Sequence, residues 1–364
     1  MAIQTAADSI TSNQGSPFGF KNRIINGGMV IDQRNSGASV TPTSSTYTLD
    51  RWYFDISQSS KASVQQNGGS VTPPPGFTNY IGITSTSNYS IGADDYFWLS
   101  QFIEGYNIAD LDWGKTTAKS VTLSFWVRSS LTGTFGGALQ NSSSDRSYPF
   151  SYTIPGGSSN TWVYVSVTIP GDTTGTWLTT TGKGIRLSLG FGVGTNRSGT
   201  AGVWAATNYA SSTGATSVVG TSGATFYVTG VQLEVGQQST AFDYRPYGTE
   251  LALCQRYLPA YPVQSGSHNA VLGMAYGAGT ALWQFNFPVT PRVVPTGLTY
   301  TGTATNLRYY VGSSSGSVSS FAYNDATLQT GWASSGISAS NAQCIMLATP
   351  TSESGVIYFT GCEL

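Results

Sequence analysis

Two segments of this chain alternate apolar and polar residues without a break. In Ser120–Ser129, Val121, Leu123, Phe125 and Val127 fall on one side, and Thr122, Ser124, Trp126 and Arg128 fall on the other. Thr161–Ile169 repeats the pattern, with Val163, Val165, Val167 and Ile169 against Trp162, Tyr164, Ser166 and Thr168, and it stops at Pro170-Gly171-Asp172. A period of two belongs to a strand with one buried face. Such a strand needs a sheet beside it and a second layer over its apolar side, so the pattern points to packed β-sheets.

Other segments read the same way. Ile185, Leu187 and Leu189 alternate with Arg186 and Ser188, and Phe226–Val235 reads as a long strand with a bulge at Gly230. Trp98–Glu104, Tyr47–Phe54, Ala281–Pro288 and Gly355–Thr360 also read as strands, as does Asn22–Ile31 around the pair Gly27-Gly28. Gly190–Gly194 reads as a bulge or turn rather than a phosphate loop, because no helix start with Lys-Ser/Thr follows it.

Composition supports strands over helices. Charged residues make up 9%, against about 25% in an average domain. Their place is taken by Ser, Thr, Asn, Gln and 44 Gly, which are poor helix formers. One helix is predicted, Glu250–Leu258, with Leu251, Cys254 and Leu258 at helical spacing and a stop at Pro259. Asn107–Leu111 reads as a single further turn. The expected fold is all-β: two antiparallel β-sandwich domains joined by a short helix, with an extended N-terminal arm. The boundaries read as an arm at 1–20, a first sandwich at 21–248, a helical connector at 249–262 and a second sandwich at 263–364. The polar arm, with no amphipathic period, is expected to be held by another protein.

Charge and cysteine content narrow the partners. Net charge is -1 and basic residues do not cluster, so neither a nucleic acid nor an anionic membrane surface is expected as a partner. No run approaches the ~20 apolar residues of a membrane span, so membrane insertion is not expected. The first ten residues lack the basic and apolar regions of a signal peptide, which implies synthesis for the cytosol. Cys254, Cys344 and Cys362 make no disulfide framework and read as small apolar side chains.

Catalytic constellations are scarce. His268 is the single histidine, and it lies in a Ser/Gly-rich stretch. The carboxylates Asp94, Asp95, Glu104, Asp110, Asp112, Asp172 and Glu234 are scattered, and Glu104 is expected to face solvent or pair with an arginine such as Arg128. The chain is therefore expected not to be an enzyme. No cofactor is expected, although Asp94-Asp95 and Asp110/Asp112 offer oxygens of the kind structural calcium takes. Sugar binding fits the composition, since rings stack on pyranose faces while amides and hydroxyls meet sugar hydroxyls. Trp113, Trp177 and Trp204 stand in loop-like contexts; each reads first as a loop anchor packed on the sandwich, and second as a candidate carbohydrate contact. Tyr309, Tyr310 and Trp332, with Tyr323, flank Gly/Ser stretches and are candidates for a binding tip. Asp50-Arg51-Trp52 reads as an ion pair beside a core tryptophan.

A series of motifs resembles a family. Asn22-Arg23-Ile24-Ile25-Asn26-Gly27-Gly28-Met29 leads into Ile31-Asp32-Gln33-Arg34, then Leu49-Asp50-Arg51-Trp52 and Ser124-Phe125-Trp126-Val127-Arg128. Thr229-Gly230-Val231-Gln232-Leu233-Glu234-Val235-Gly236 follows, then Phe242-Asp243-Tyr244-Arg245-Pro246 and Glu250–Tyr257. In this order they resemble phage tail-fibre, head-fibre and spike proteins that carry a carbohydrate-binding-module-like jelly roll, over residues 20–258. Residues 263–364 resemble the tip domains of such proteins only loosely. The resemblance implies a protein of the virion surface, often a homo-trimer, made in a bacterial host. It would bind host cell-surface polysaccharide and meet other virion proteins through its arm. It transfers no sugar-contacting residue and no place on head, neck or tail. The alternative is an architectural capsid-decoration or collar protein without glycan binding; a capsule depolymerase is less favoured.

Overall fold

The computed structural model describes residues 21–263, 271–276, 279–311, 314–338, 344–348 and 355–364. The arm at 1–20 and His268 lie outside the described residues. The protein is all-β with one short α-helix, and its chain divides into two compact units. One ends at Tyr247 and takes in Leu364; the other is Gly248–Glu363.

The first unit is built from two main sheets. The larger runs, edge to edge, Thr46–Leu49, Trp52–Ile56, Tyr96–Glu104, Lys183–Val193, Gly133–Gln140 and Ser147–Ile154. The smaller runs Ala62–Gln66, Ile81–Ser85, Thr225–Val235, Val121–Ser129 and Val163–Ile169. Every pairing in these two sheets is antiparallel. A parallel two-residue pair, Ser198–Gly199 with Ser211–Ser212, stands apart. The inward rows of both sheets form one core, which includes Phe54, Leu99, Phe135 and Leu187 from one and Val64, Ile83, Leu123 and Phe226 from the other. Phe226 meets Phe191 at 4.9 Å and Phe135 at 5.5 Å between ring centroids, so aromatic contacts stitch the layers. The alternation at 120–129 and 161–169 is thus the sandwich geometry itself. Gly230, at φ +64°, sits in a register shift between Thr229 and Gln232, and the Phe77 ring packs where a Cβ would be.

Asn22–Ile31 is not a strand. Adjacent Ile24 and Ile25 are both buried, and Asn26 and Met29 take positive φ, so the run turns instead of alternating. Two backbone bonds, Arg23 N–H to Leu233 O and Val231 N–H to Gly27 O, tie the run to the neighbouring strand, and side chains supply the rest. Asn22 donates to Val231 O and accepts from the Ile24 and Leu233 N–H groups. Asn26 donates to the carbonyls of Ile31 and Asp50, and Trp52 donates to the carbonyl of Asn26. Gln101 both accepts from and donates to the backbone of Ile25, and Arg245 donates to the carbonyls of Ile24 and Asn22. The neighbouring carboxylate Glu234 holds Thr240 through its N–H and hydroxyl. Buried backbone groups must find partners, and these side chains supply them. The conspicuous motif residues of the first unit are therefore a lock that threads 22–31 beside the Thr225–Val235 strand.

In the second unit, the helix Tyr247–Gln255 starts three residues before the predicted segment, and Cys254 and Leu258 are buried as its spacing implies. Two antiparallel sheets follow. The three-stranded one is Ala260–Val263, Gly355–Thr360 and Gly297–Tyr300. The seven-stranded one is, in order, Ser314–Ser317, Arg308–Val311, Cys344–Ala348, Val271–Ala275, Thr280–Asn286, Thr330–Gly336 and Ser320–Ala326. Trp283, Phe285, Leu347, Ile357 and Phe359 join them in one core.

Candidate functional site

The three loop tryptophans converge, but inward. Ring centroids lie 4.6 Å apart for Trp113 and Trp177, 5.5 Å for Trp113 and Trp204, and 5.6 Å for Trp177 and Trp204, all edge-to-face. Trp113 and Trp177 are 6% and 8% exposed, so their faces are closed to a sugar. Each indole N–H is already used, by Lys119 O, Asp172 with Thr174 O, and Pro170 O respectively. Trp204 is half-buried against Tyr148 and the Arg146 guanidinium. Arg146 grips the buried Asp172 with two hydrogen bonds, of 2.9 and 2.5 Å. Burial pushes the Asp172 carboxyl up, but Arg146, the Thr174 N–H and the Trp177 indole outweigh it and hold it below the usual value. This cluster is an anchor that ties the 113–119, 170–177 and 204 segments to the sandwich.

The tip candidates separate by face. Tyr309, Tyr310, Tyr323 and Trp332 lie in strands rather than in loops. Tyr309 is 6% exposed and belongs to the core, which removes it as a platform, and Tyr323 packs against that core. Tyr310 and Trp332 fall on the opposite, outward side of the seven-stranded sheet and are half-buried.

The aspartates singled out in the sequence are held by protein groups. Asp94 accepts from Asn196, and Asp95 accepts from Ser57, Tyr89 and Gly92 N–H. Asp110 is paired with Arg23, and Asp112 with Lys115. The two pairs of aspartates that offered oxygens for calcium thus have protein partners, and among the described residues no three metal-ligating side chains gather. Glu104 is buried, so the solvent-facing alternative fails, and Arg128, the arginine named for a pair, lies in the other sheet over Tyr227. Asp50 accepts two bonds from Gln33, and Arg51 donates to Phe102 O beside the buried Trp52. Cys254 and Cys362 are buried, whereas Cys344 is exposed, so the apolar reading fails for that one.

The outer side of the six-stranded sheet is aromatic, with half-buried Tyr96 stacked on Trp98 at 4.6 Å, and its charged centre is closed. The Arg186 guanidinium lies over Trp98 and Phe102 at 5.0 and 5.4 Å and is paired with Asp55 at 2.5 Å. Trp98 and Ser100 also donate to Asp55, so donors and acceptors there satisfy one another.

The smaller sheet is open on its outward side along the edge strand Val163–Ile169 and next to it at Trp126 and Arg128, while Thr122, Ser124 and Tyr227 further in are buried. Its strands Val121–Ser129 and Val163–Ile169 pair in a register that sets Trp126 opposite Tyr164, Ser124 opposite Ser166 and Thr122 opposite Thr168. The outward rows read separately in the sequence thus become neighbours. Tyr164 is 44% exposed, and its ring lies 5.3 Å from Trp126 at 56°. Arg128, in the next outward row, stacks on Tyr227 at 5.4 Å. The Trp126 indole N–H, the Tyr164 and Ser166 hydroxyls and the Arg128 guanidinium have no hydrogen-bond partner among the described residues. Two rings beside four unclaimed polar groups can stack on a sugar ring and bond its hydroxyls. Sequence reasoning passed this surface over in favour of loop tryptophans. The available signal was large rings on the polar side of two alternating strands, where Ser or Thr would suffice for solubility.

No protein-family model matches the sequence, and no curated protein matches it. Solved structures with similar folds include the enzymatically active domain of tailspike protein 4 of bacteriophage CBA120, 12% identical with a TM-score of 0.34. That match covers 59% of this chain and only 21% of the tailspike chain. A family 61 carbohydrate-binding module in complex with beta-1,4-galactotriose is 9% identical with a TM-score of 0.30, covering 60% of this chain and 99% of the module. The tandem CBM22-1–CBM22-2 domain of Paenibacillus barcinonensis Xyn10C is 8% identical with a TM-score of 0.25, covering 89% of this chain and 95% of that one. The likeness is one of fold.

Proposed function

We propose that this chain is a structural protein of a phage-particle surface, a spike or fibre, that binds a bacterial surface polysaccharide for adsorption and is not an enzyme. The observation that carries the glycan part is the Trp126–Tyr164 surface, two rings beside polar groups that nothing in the described chain uses. Flat rings remove the apolar C–H faces of a pyranose from water. The free Arg128 guanidinium adds charge-assisted bonds to vicinal hydroxyls or to an acidic sugar. The particle context rests on the resemblance of the motif series. In this reading the arm at 1–20 meets other virion proteins, copies of the chain assemble, as a homo-trimer by that resemblance, and the second unit is distal.

The test is retention of the purified full chain on immobilised capsular and lipopolysaccharide glycans of bacteria. Specific retention on one class is expected. Retention on none removes the glycan reading and leaves an architectural decoration or collar protein. Shortened polysaccharide chains after incubation would instead make it a depolymerase.

A further inference from the structure

The seven-stranded sheet of the second unit has a core side and an open side. Trp283, Phe285 and Leu347 fill the core side. On the open side the register sets Tyr310 opposite Met346 and Met346 opposite Leu272, with Met274 opposite Leu282 beside them. Leu272 is 68% exposed and Met274 48%, in the middle of a sheet where an unpartnered strand face is ordinarily polar. Trp332 continues the surface toward the far border. Leu272, Met274, Leu282 and Met346, between the rings of Tyr310 and Trp332, carry neither a flat ring nor a hydroxyl, so the middle of this surface suits protein rather than sugar.

Charge says which protein. The seven strands hold two charged side chains, Arg308 and Asp325, and both belong to the open side. Arg308 is exposed, one strand in from one border, and makes no hydrogen bond or ion pair among the described residues. Asp325 is exposed on the strand at the opposite border, and its carboxylate accepts from the N–H of Ala326. The middle of the surface therefore carries Leu272, Met274, Leu282 and Met346 with the exposed Gln284 and half-buried Ser334 beside them, and its borders are positive on one side and negative on the other, which gives it charges complementary to those of a second copy.

We infer that this open sheet side is where copies of the chain meet, with Arg308 of one copy set against Asp325 of the next. A symmetry axis running along the strands brings the positive border of one copy to the negative border of the next; Asp325 lies in the row of Tyr310 and Arg308 two residues along its strand, so the long Arg308 side chain spans about 7 Å to reach it. A two-fold axis across the strands would set Arg308 on Arg308 and is opposed by like charge. Seven strands ~4.8 Å apart and about five residues long give a projected face of roughly 500 Å². That falls below the ~800 Å² per partner of a standard stable interface, so association in the micromolar range follows unless other surfaces add to it. The inference names the contact for the self-assembly proposed above. Its test reads mass rather than glycan retention, so the two readings fail separately.

The experiment is sedimentation velocity of the full chain at micromolar concentration, as wild type, Arg308→Asp, Asp325→Arg and the double exchange. Wild type should sediment as more than a monomer. Each single exchange should weaken self-association by about tenfold or more, because like charges then face each other. The double exchange should restore it. A monomeric wild type, single variants that associate as wild type does, or a double exchange no better than the singles would each overturn the inference. Both positions are exposed, so the exchanges leave the core of the unit intact.

Discussion

Replacing Trp113 by Ala separates an anchor from a binding platform. The ring is almost fully buried, with two other indoles within 5.5 Å and its N–H bonded to Lys119 O at 2.8 Å. Truncating a buried Trp to Ala costs about 3–5 kcal/mol, because the cavity relaxes only partly. For a unit of this size each kcal/mol lowers Tm by ~2–4 °C, so a fall of roughly 6–20 °C is expected. Near-UV circular dichroism during heating reads this directly, since the edge-to-face indoles give the signal. At a temperature where the variant is still folded, its retention on a glycan that the wild type binds should be unchanged. A variant that melts with wild type yet loses retention would refute the assignment of the cluster as an anchor.

Other consequences concern the lock, the cluster charge and the thiols. Gly27→Ala places a Cβ 2.2 Å from Val231 O, in a segment that already accepts the Val231 N–H, and should destabilise the first unit by about 1–3 kcal/mol in urea unfolding. A variant as stable as wild type would contradict the lock. Asp172 has a folded pKa below its ordinary value, so its contribution is full above about pH 4 and is lost as pH falls through the lower folded value. Asp172→Asn should therefore lower stability at neutral pH and flatten the acid side of the stability profile; an unchanged acid slope would count against the Arg146 pairing. Burial pushes the Cys362 thiol up to about 11, and its sulfur lies 3.2 Å from Val293 O, while Cys344 is exposed. A thiol reagent at neutral pH should label Cys344 in the native protein and all three cysteines after denaturation; rapid native labelling of Cys362 would contradict its burial.

The sequence reported the sheets well and the surfaces poorly, for a physical reason. Alternation in Val121–Ser129 and Val163–Ile169 records which side is buried, and that is a local property. Which strands become neighbours is not local, so the meeting of Trp126 with Tyr164 appears only once the register is known. Asn22–Ile31 misled for a related reason. Its β-branched residues suit a strand, but its hydrogen bonds go to side chains as far away as Gln101 and Arg245. The neighbours of Trp113, Trp177 and Trp204 mark loops but do not say which way a ring points, and that three separate loops bring their indoles together with Arg146 and Asp172 is not a local property. Tyr309 and Tyr310 differ by one position, and that single step puts one in the core and the other outside.

The central claim is that the Trp126–Tyr164 surface holds a glycan. The most direct measurement compares wild type with Trp126→Ala/Tyr164→Ala on an array of bacterial capsular and lipopolysaccharide glycans. Tyr164 is largely open and Trp126 half-buried, so the variant should keep most of its stability. If the surface binds sugar, the glycan that wild type retains should be bound about 30-fold more weakly or worse, as expected for the loss of an aromatic contact worth ~2 kcal/mol. Retention by the double variant equal to that of the wild type would contradict the account.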